Sequence, residues 1–165
     1  MDAITIASTM LNRKHLNSWQ IQKSLFYGQA LSLYLTGTVL FNDKIAAWKN
    51  GPVVPTVRKA YQNNELQYFP KVSNDDVDTN YILQYVYKYF LKKTGQELRD
   101  LTHISGGAWE KTVRAGLKYI PLTYIKDEIL LFPEIVEELK KPFEIKEKYV
   151  YKDLDKILEK HNIIL

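Results

Sequence analysis

Three histidines, His15, His103 and His161, are the side chains whose ordinary proton affinity lies near neutral pH, and no cysteine accompanies them. They are far apart in the chain. No His pair falls at helical spacing and neither a zinc-protease nor an EF-hand pattern is present, so no metal site is expected. Around His103, the residues Asp100, Thr102 and Ser105 supply a carboxylate and two hydroxyls, the group types of a nucleophilic triad. Triads draw their members from separated segments, however, and no Gly-x-Ser-x-Gly elbow exists. His103 is therefore read as a capping or hydrogen-bonding residue beside the Gly106-Gly107 turn. Gly106-Gly107 lacks the Gly-Lys-Ser/Thr of a phosphate loop, and Gly51 stands alone before Pro52. The missing thiols exclude disulfides, cysteine nucleophiles and Cys-ligated metals together. No cofactor and no enzymatic activity are expected.

What remains is chemistry of contact. Aromatic residues make up 13% of the chain, with 12 Tyr, a composition that closes a core with polar rims or furnishes a contact surface. The net charge of +4 is spread evenly along the sequence. Nucleic-acid modules cluster their cations, so nucleic acid stays an unsupported alternative partner. Tyr85 to Lys93 interleaves aromatic and basic residues, which on a helix reads as a core face with a solvated edge. Gln22 and Gln29 share a stripe with Phe26 and Leu33, and buried amides of this kind need hydrogen-bond partners.

These groups must be positioned by the elements of a chain of 165 residues, the size of one domain able to bury about two thirds of its unfolded surface. Ala3, Ile6, Ala7, Met10 and Leu11 mark a first helix to Lys14. Asn17 caps the next, with Gln20 completing a capping box and Leu16 and Ile21 at staple positions. From Ser18 to Leu35 apolar residues nearly encircle this helix, which is expected to be central and to end at Gly37. Val39 to Phe41 and Ile45 to Trp48 read as extended pieces, a small β-hairpin near residues 39–48, followed by a turn at Asn50-Gly51-Pro52. Pro55 opens a helix to Tyr61. Asn63 to Asn80 is taken as the longest loop and a candidate contact site. Asp78 or Thr79 is expected to cap a helix from Tyr81 to Lys93, with short helices over Glu97 to Thr102, around Trp109 and Val113, and from Tyr124 to Leu131, where Pro133 ends the run. A charged terminal stretch carries Leu154, Ile157 and Leu158 on one helical stripe. The expectation is a mainly α, compact helical domain over residues 1–131 and a C-terminal helical extension over 132–165. The N-terminus carries Asp2 and no basic region leading into an apolar run, and no stretch reads as a membrane span, so no signal peptide, no membrane contact and a cytoplasmic location are expected.

Ile21 to Ala30, Leu35-Thr36-Gly37, Leu40-Phe41 and Ile45 to Pro55 with Tyr61 behind them form an ordered combination that resembles the Panacea domain family, also called SocA-like or GepA-like. Leu98, Leu101-Thr102-His103 and Gly107 to Lys111 with Trp109 are similar to its second signature. The resemblance covers about Ala3 to Leu131. It implies a helical antitoxin of a bacterial or phage toxin–antitoxin pair, without catalysis, that neutralises a cognate protein toxin by direct binding. The alternatives it leaves are a nucleic-acid-binding regulator or an adaptor that delivers the toxin for proteolysis, and a second copy of the chain is a further partner to consider. Gln22, Tyr27 and Gln29 on the central helix, Trp48, Lys49, Gly51 and Pro52 after it, and His103 and Trp109 are expected to form a shared framework whose polar edge grips the toxin.

Overall fold

A computed structural model describes residues 1–141. Its first helix, α1 (Ala3–Arg13), leads into α2 (Ser18–Thr36) through a start built as the sequence implies. Asn17 Oδ1 accepts the Gln20 backbone N–H at 2.9 Å, and Gln20 Oε1 accepts the Asn17 N–H at 3.1 Å. Such a box satisfies two donors that a helix start leaves open and stabilises it by about 1 kcal/mol. At the other end Gly37 takes φ 71, which an L side chain resists. Between these caps every residue from Ile21 to Leu33 is buried. A helix that is apolar nearly all round has no face for solvent, so other elements must cover all of it.

They do so in chain order. A two-stranded antiparallel hairpin, β1 (Ala46–Trp48) and β2 (Gly51–Val53), lies against α2 and runs into α3 (Pro55–Gln62), whose first residue is the proline. Next come α4 (Val77–Tyr89), α5 (Gly95–Thr102) and α6 (Ala108–Arg114), then α7 (Leu122–Asp127), a 3₁₀ turn at Glu128–Leu131 and α8 (Pro133–Leu139). Helices α1, α4, α5 and α7 all pack on α2. Thr94 and Glu97 start α5 with a second capping box. The mainly α architecture with a small hairpin is therefore as the sequence implies.

Four local features differ. The hairpin pairs residues 46–48 with 51–53, so Val39 to Phe41 is not a strand. Gln29 explains why: its Oε1 accepts the N–H groups of Leu40 and Phe41 at 2.9 and 3.2 Å, and its Nε2 donates to the Phe41 carbonyl at 3.1 Å. A side-chain amide takes the place of a partner strand. The 63–80 segment is not a free loop either. A 3₁₀ turn at Leu66–Tyr68 and buried Leu66 and Val72 hold it to α1, where Ser8 Oγ donates to the Phe69 carbonyl and Thr9 Oγ1 accepts from Val72 N–H. Helix α4 starts earlier than expected because Asp76 is its cap, accepting from Thr79 N–H at 3.0 Å. Pro133, finally, opens α8 rather than only ending what precedes it. The expected terminal stripe of Leu154, Ile157 and Leu158 lies outside the described residues.

Candidate functional site

The hairpin is fastened to the helices through its main-chain oxygens. From α2, Lys23 Nζ donates to the Pro52 carbonyl at 3.1 Å. Beside it Gln22 Oε1 accepts the Val54 N–H at 2.7 Å while its Nε2 donates to the Val54 carbonyl at 3.4 Å. From α6, Trp109 Nε1 donates to the Trp48 carbonyl at 2.8 Å. At the end of α5, His103 places Nδ1 2.7 Å from the Arg99 carbonyl and Nε2 3.4 Å from the Lys49 carbonyl, with its ring 3.9 Å from that of Trp109. A carbonyl only accepts, so a neutral imidazole donates to one of the two at a time. His103 thus holds one of these two carbonyls at a time, and its Nδ1 also lies 3.2 Å from Thr102 Oγ1. The far side of β1 is closed by the 118–120 segment, where Ala47 N–H donates to Lys118 and Ile120 N–H to Ile45.

Gly51 makes this convergence possible. Its φ is 99, and a Cβ there would stand 2.8 Å from Thr102 Oγ1, 3.0 Å from Lys23 Nζ and 3.1 Å from His103 Cε1. The turn residues Lys49 and Asn50 keep ordinary negative φ, so the left-handed demand of the hairpin falls on the glycine alone.

Above this framework a cleft of about 220 Å³ opens between the start of α2, the hairpin and α3. Trp19, Val53 and Trp48 give it apolar walls, and Lys23, Lys49 and Arg58 line it with cations. Arg58 lies over the Trp48 ring at 5.5 Å, and the Trp48 side chain is 41% exposed. Lys23 is itself only 1% exposed. Burial, followed by the charges of Arg99 and Arg58, lowers its pKa from the usual lysine range to about 8.

A family model described as SocA-like antitoxin, Panacea domain, matches residues 21–110. That span contains Gln22 and Lys23, the whole hairpin and the His103–Trp109 pair. The chain belongs to the SocA-like Panacea antitoxin family. Comparison with curated proteins and with solved structures gave no match. Membership in an antitoxin family points to binding rather than catalysis.

Of the nine residues singled out in the sequence, the Panacea fold brings seven together: Gln22, Trp48, Lys49, Gly51, Pro52, His103 and Trp109. Tyr27 and Gln29 stand elsewhere. Tyr27 is fully buried, stacked on Phe90 with centroids 4.1 Å apart and met edge-on by Phe26 and Phe132. Gln29 holds residues 40–41, as described above. Of the seven, Gln22, Gly51 and Pro52 are buried, leaving Trp48, Lys49 and the partly covered His103 and Trp109 within reach of another molecule.

Two buried charges escaped the sequence reading. Lys23 had a usable signal, since a lysine inside a helix that is apolar all round has nowhere to reach solvent. Glu128, which is 1% exposed, had none. Its Oε2 accepts the Ala108 N–H at 2.6 Å at the start of α6, a contact between separated segments that no local pattern announces.

Proposed function

We propose that this Panacea domain neutralises a protein toxin by direct contact, using the face made by the hairpin and the start of α3. The observation that carries the reading is an exposed Trp48, flanked by Lys49 and Arg58, on main chain held by the buried Lys23 and the partly buried Trp109. Trp and Arg dominate the energetics of protein interfaces, and a backbone fixed before the encounter loses little freedom on binding. The antitoxin family supports a toxin partner in general. On this reading the two proteins meet in the cytoplasm.

The test is the reading frame next to this one. Expressed alone it is expected to arrest growth, and co-expression of this chain to restore it. Trp48→Ala is expected to lose the rescue while keeping a cooperative unfolding transition, because the exposed indole ring can be removed at little cost to the fold. No adjacent frame that is both toxic and rescued would overturn the reading. An unchanged toxin level during rescue marks blocking, and a reduced one marks delivery to a protease. Mobility shifts that weaken steeply with salt would favour the nucleic-acid alternative.

A further inference from the structure

We propose that the cleft between α2 and the hairpin is a socket for one acidic side chain, a glutamate or aspartate, presented by the partner protein. This rests on the reading of the chain as an antitoxin that binds a protein. Its basis is a charge imbalance fixed in the fold. Lys23 Nζ has three donors and makes one hydrogen bond among the described residues, to the Pro52 carbonyl. No carboxylate lines the cleft. The charged groups that act on Lys23 are Arg99 and Arg58, both of its own sign, and together with burial they draw its proton affinity down. Arg99 has a carboxylate of its own in Asp100, at 3.2 Å, but that ion pair faces solvent and does not neutralise Lys23. Gln22 cannot help, because both ends of its amide are engaged by Val54.

An ammonium kept from water in a cleft that Arg58 also lines, with no carboxylate in the lining, is costly in the free protein. An arriving anion changes the balance by bringing the missing negative charge to the cleft that Lys23, Lys49 and Arg58 line. Size and wall chemistry select the anion. At about 220 Å³ the cleft falls short of the roughly 300–1,000 Å³ typical of sites for drug-sized ligands, so a nucleotide with its base is too large. One side chain fits. Its methylenes would lie against Trp19, Val53 and Trp48, and its carboxylate would meet Lys23 with Arg58 and Lys49 at the rim.

Two arms test the socket, and only one needs the toxin. In the first, the full-length chain labelled for NMR is titrated with N-acetylglutamate N-methylamide, with its glutamine counterpart and with inorganic phosphate. The glutamate probe is expected to shift the indole N–H signals of Trp19 and Trp48 saturably, the glutamine probe to leave them unmoved, and Lys23→Met to abolish the response. Equal binding of the glutamine probe, an undiminished response in Lys23→Met, or tighter binding of phosphate than of the glutamate probe would overturn the proposal. Arg58→Ala provides the same test from the rim if Lys23→Met does not fold. In the second arm, Lys23→Met and Arg58→Ala are each expected to weaken binding of the rescued toxin by about tenfold or more. Lys126→Ala, at an exposed cation outside the cleft lining, is expected to change it by less than about twofold. Toxin binding untouched by the first two substitutions would sink the socket and leave the antitoxin reading intact. Failure to find any rescued toxin would sink that reading, and the glutamate titration would still judge the cleft.

Discussion

Glu128 is a buried carboxylate with little company for its charge. One carboxylate oxygen caps α6 through Ala108 N–H, and the other has no hydrogen-bond partner among the described residues. Burial is the largest influence and raises its pKa from 4.5 to about 7, against the smaller opposite pulls of the Ala108 hydrogen bond and Lys111. An acid whose folded pKa lies above its unfolded value binds its proton more tightly when folded. The stability it adds is therefore full below about pH 4.5 and is lost as the pH rises through about 7. Glu128→Gln keeps an acceptor for Ala108 and removes the charge. It is expected to be more stable than the parent at pH 8, by up to about 3 kcal/mol, with the difference shrinking toward pH 5. Urea denaturation at the two pH values measures this, and a variant equally weakened at both would show that the carboxylate geometry itself is required. At this scale the polar stripe of α2 was half legible. Gln22 and Gln29 announced a need for partners by sitting among apolar residues. Which backbone groups they hold depends on chain returning from 11 to 32 residues away, beyond the reach of local pattern.

At the scale of elements, the hairpin depends on a single backbone geometry. Gly51→Ala would place a side chain at φ 99 and bring its Cβ within 3.1 Å of three other side chains. The dihedral alone costs about 1–3 kcal/mol, and the crowding adds to it. The variant is expected to unfold several degrees lower than the parent and to lose its partner. If melting temperature and binding were both unchanged, the glycine would not be what seats the hairpin on α5. Element starts were the most legible part of the fold, because capping boxes at Asn17 and Thr94 and prolines such as Pro55 are local chemistry. The hairpin was displaced by one segment in the sequence reading for an equally physical reason. Residues 39–41 have the composition of a strand, but Gln29 binds the backbone of Leu40 and Phe41 from the side, and the pairing moves to the next extended piece.

At the scale of the molecule, one core among the described residues surrounds α2 and reaches further than the family match. The match ends at residue 110, yet Ile120, Ile125, Ile129, Phe132 and Ile135 are buried in the same cluster. Phe132 stands edge-on to both Tyr27 and Phe90, so the last described turns close the aromatic centre of the domain. Phe132→Ala is expected to cost about 3–5 kcal/mol in denaturant unfolding, as for other large aromatic truncations. Its half-exposed neighbour Leu131 should cost well under half as much when changed to Ala. Equal effects would mean that Phe132 adds nothing to the central stack. That closure was not legible in the sequence, because Phe132 lies between a 3₁₀ turn and a proline, where no periodicity assigns it a face.

The way the hairpin is held also bears on how such a protein can change. Lys23 and Trp109 grip the carbonyls of Pro52 and Trp48, atoms that every amino acid possesses, rather than the side chains at those positions. The anchoring is therefore indifferent to what the outward side chains of the tip are. If the hairpin face is where a partner docks, as proposed, substitutions at Trp48, Lys49 and Asn50 would redraw that surface while leaving these carbonyl clamps in place, and one scaffold would acquire new recognition by drift at three neighbouring codons.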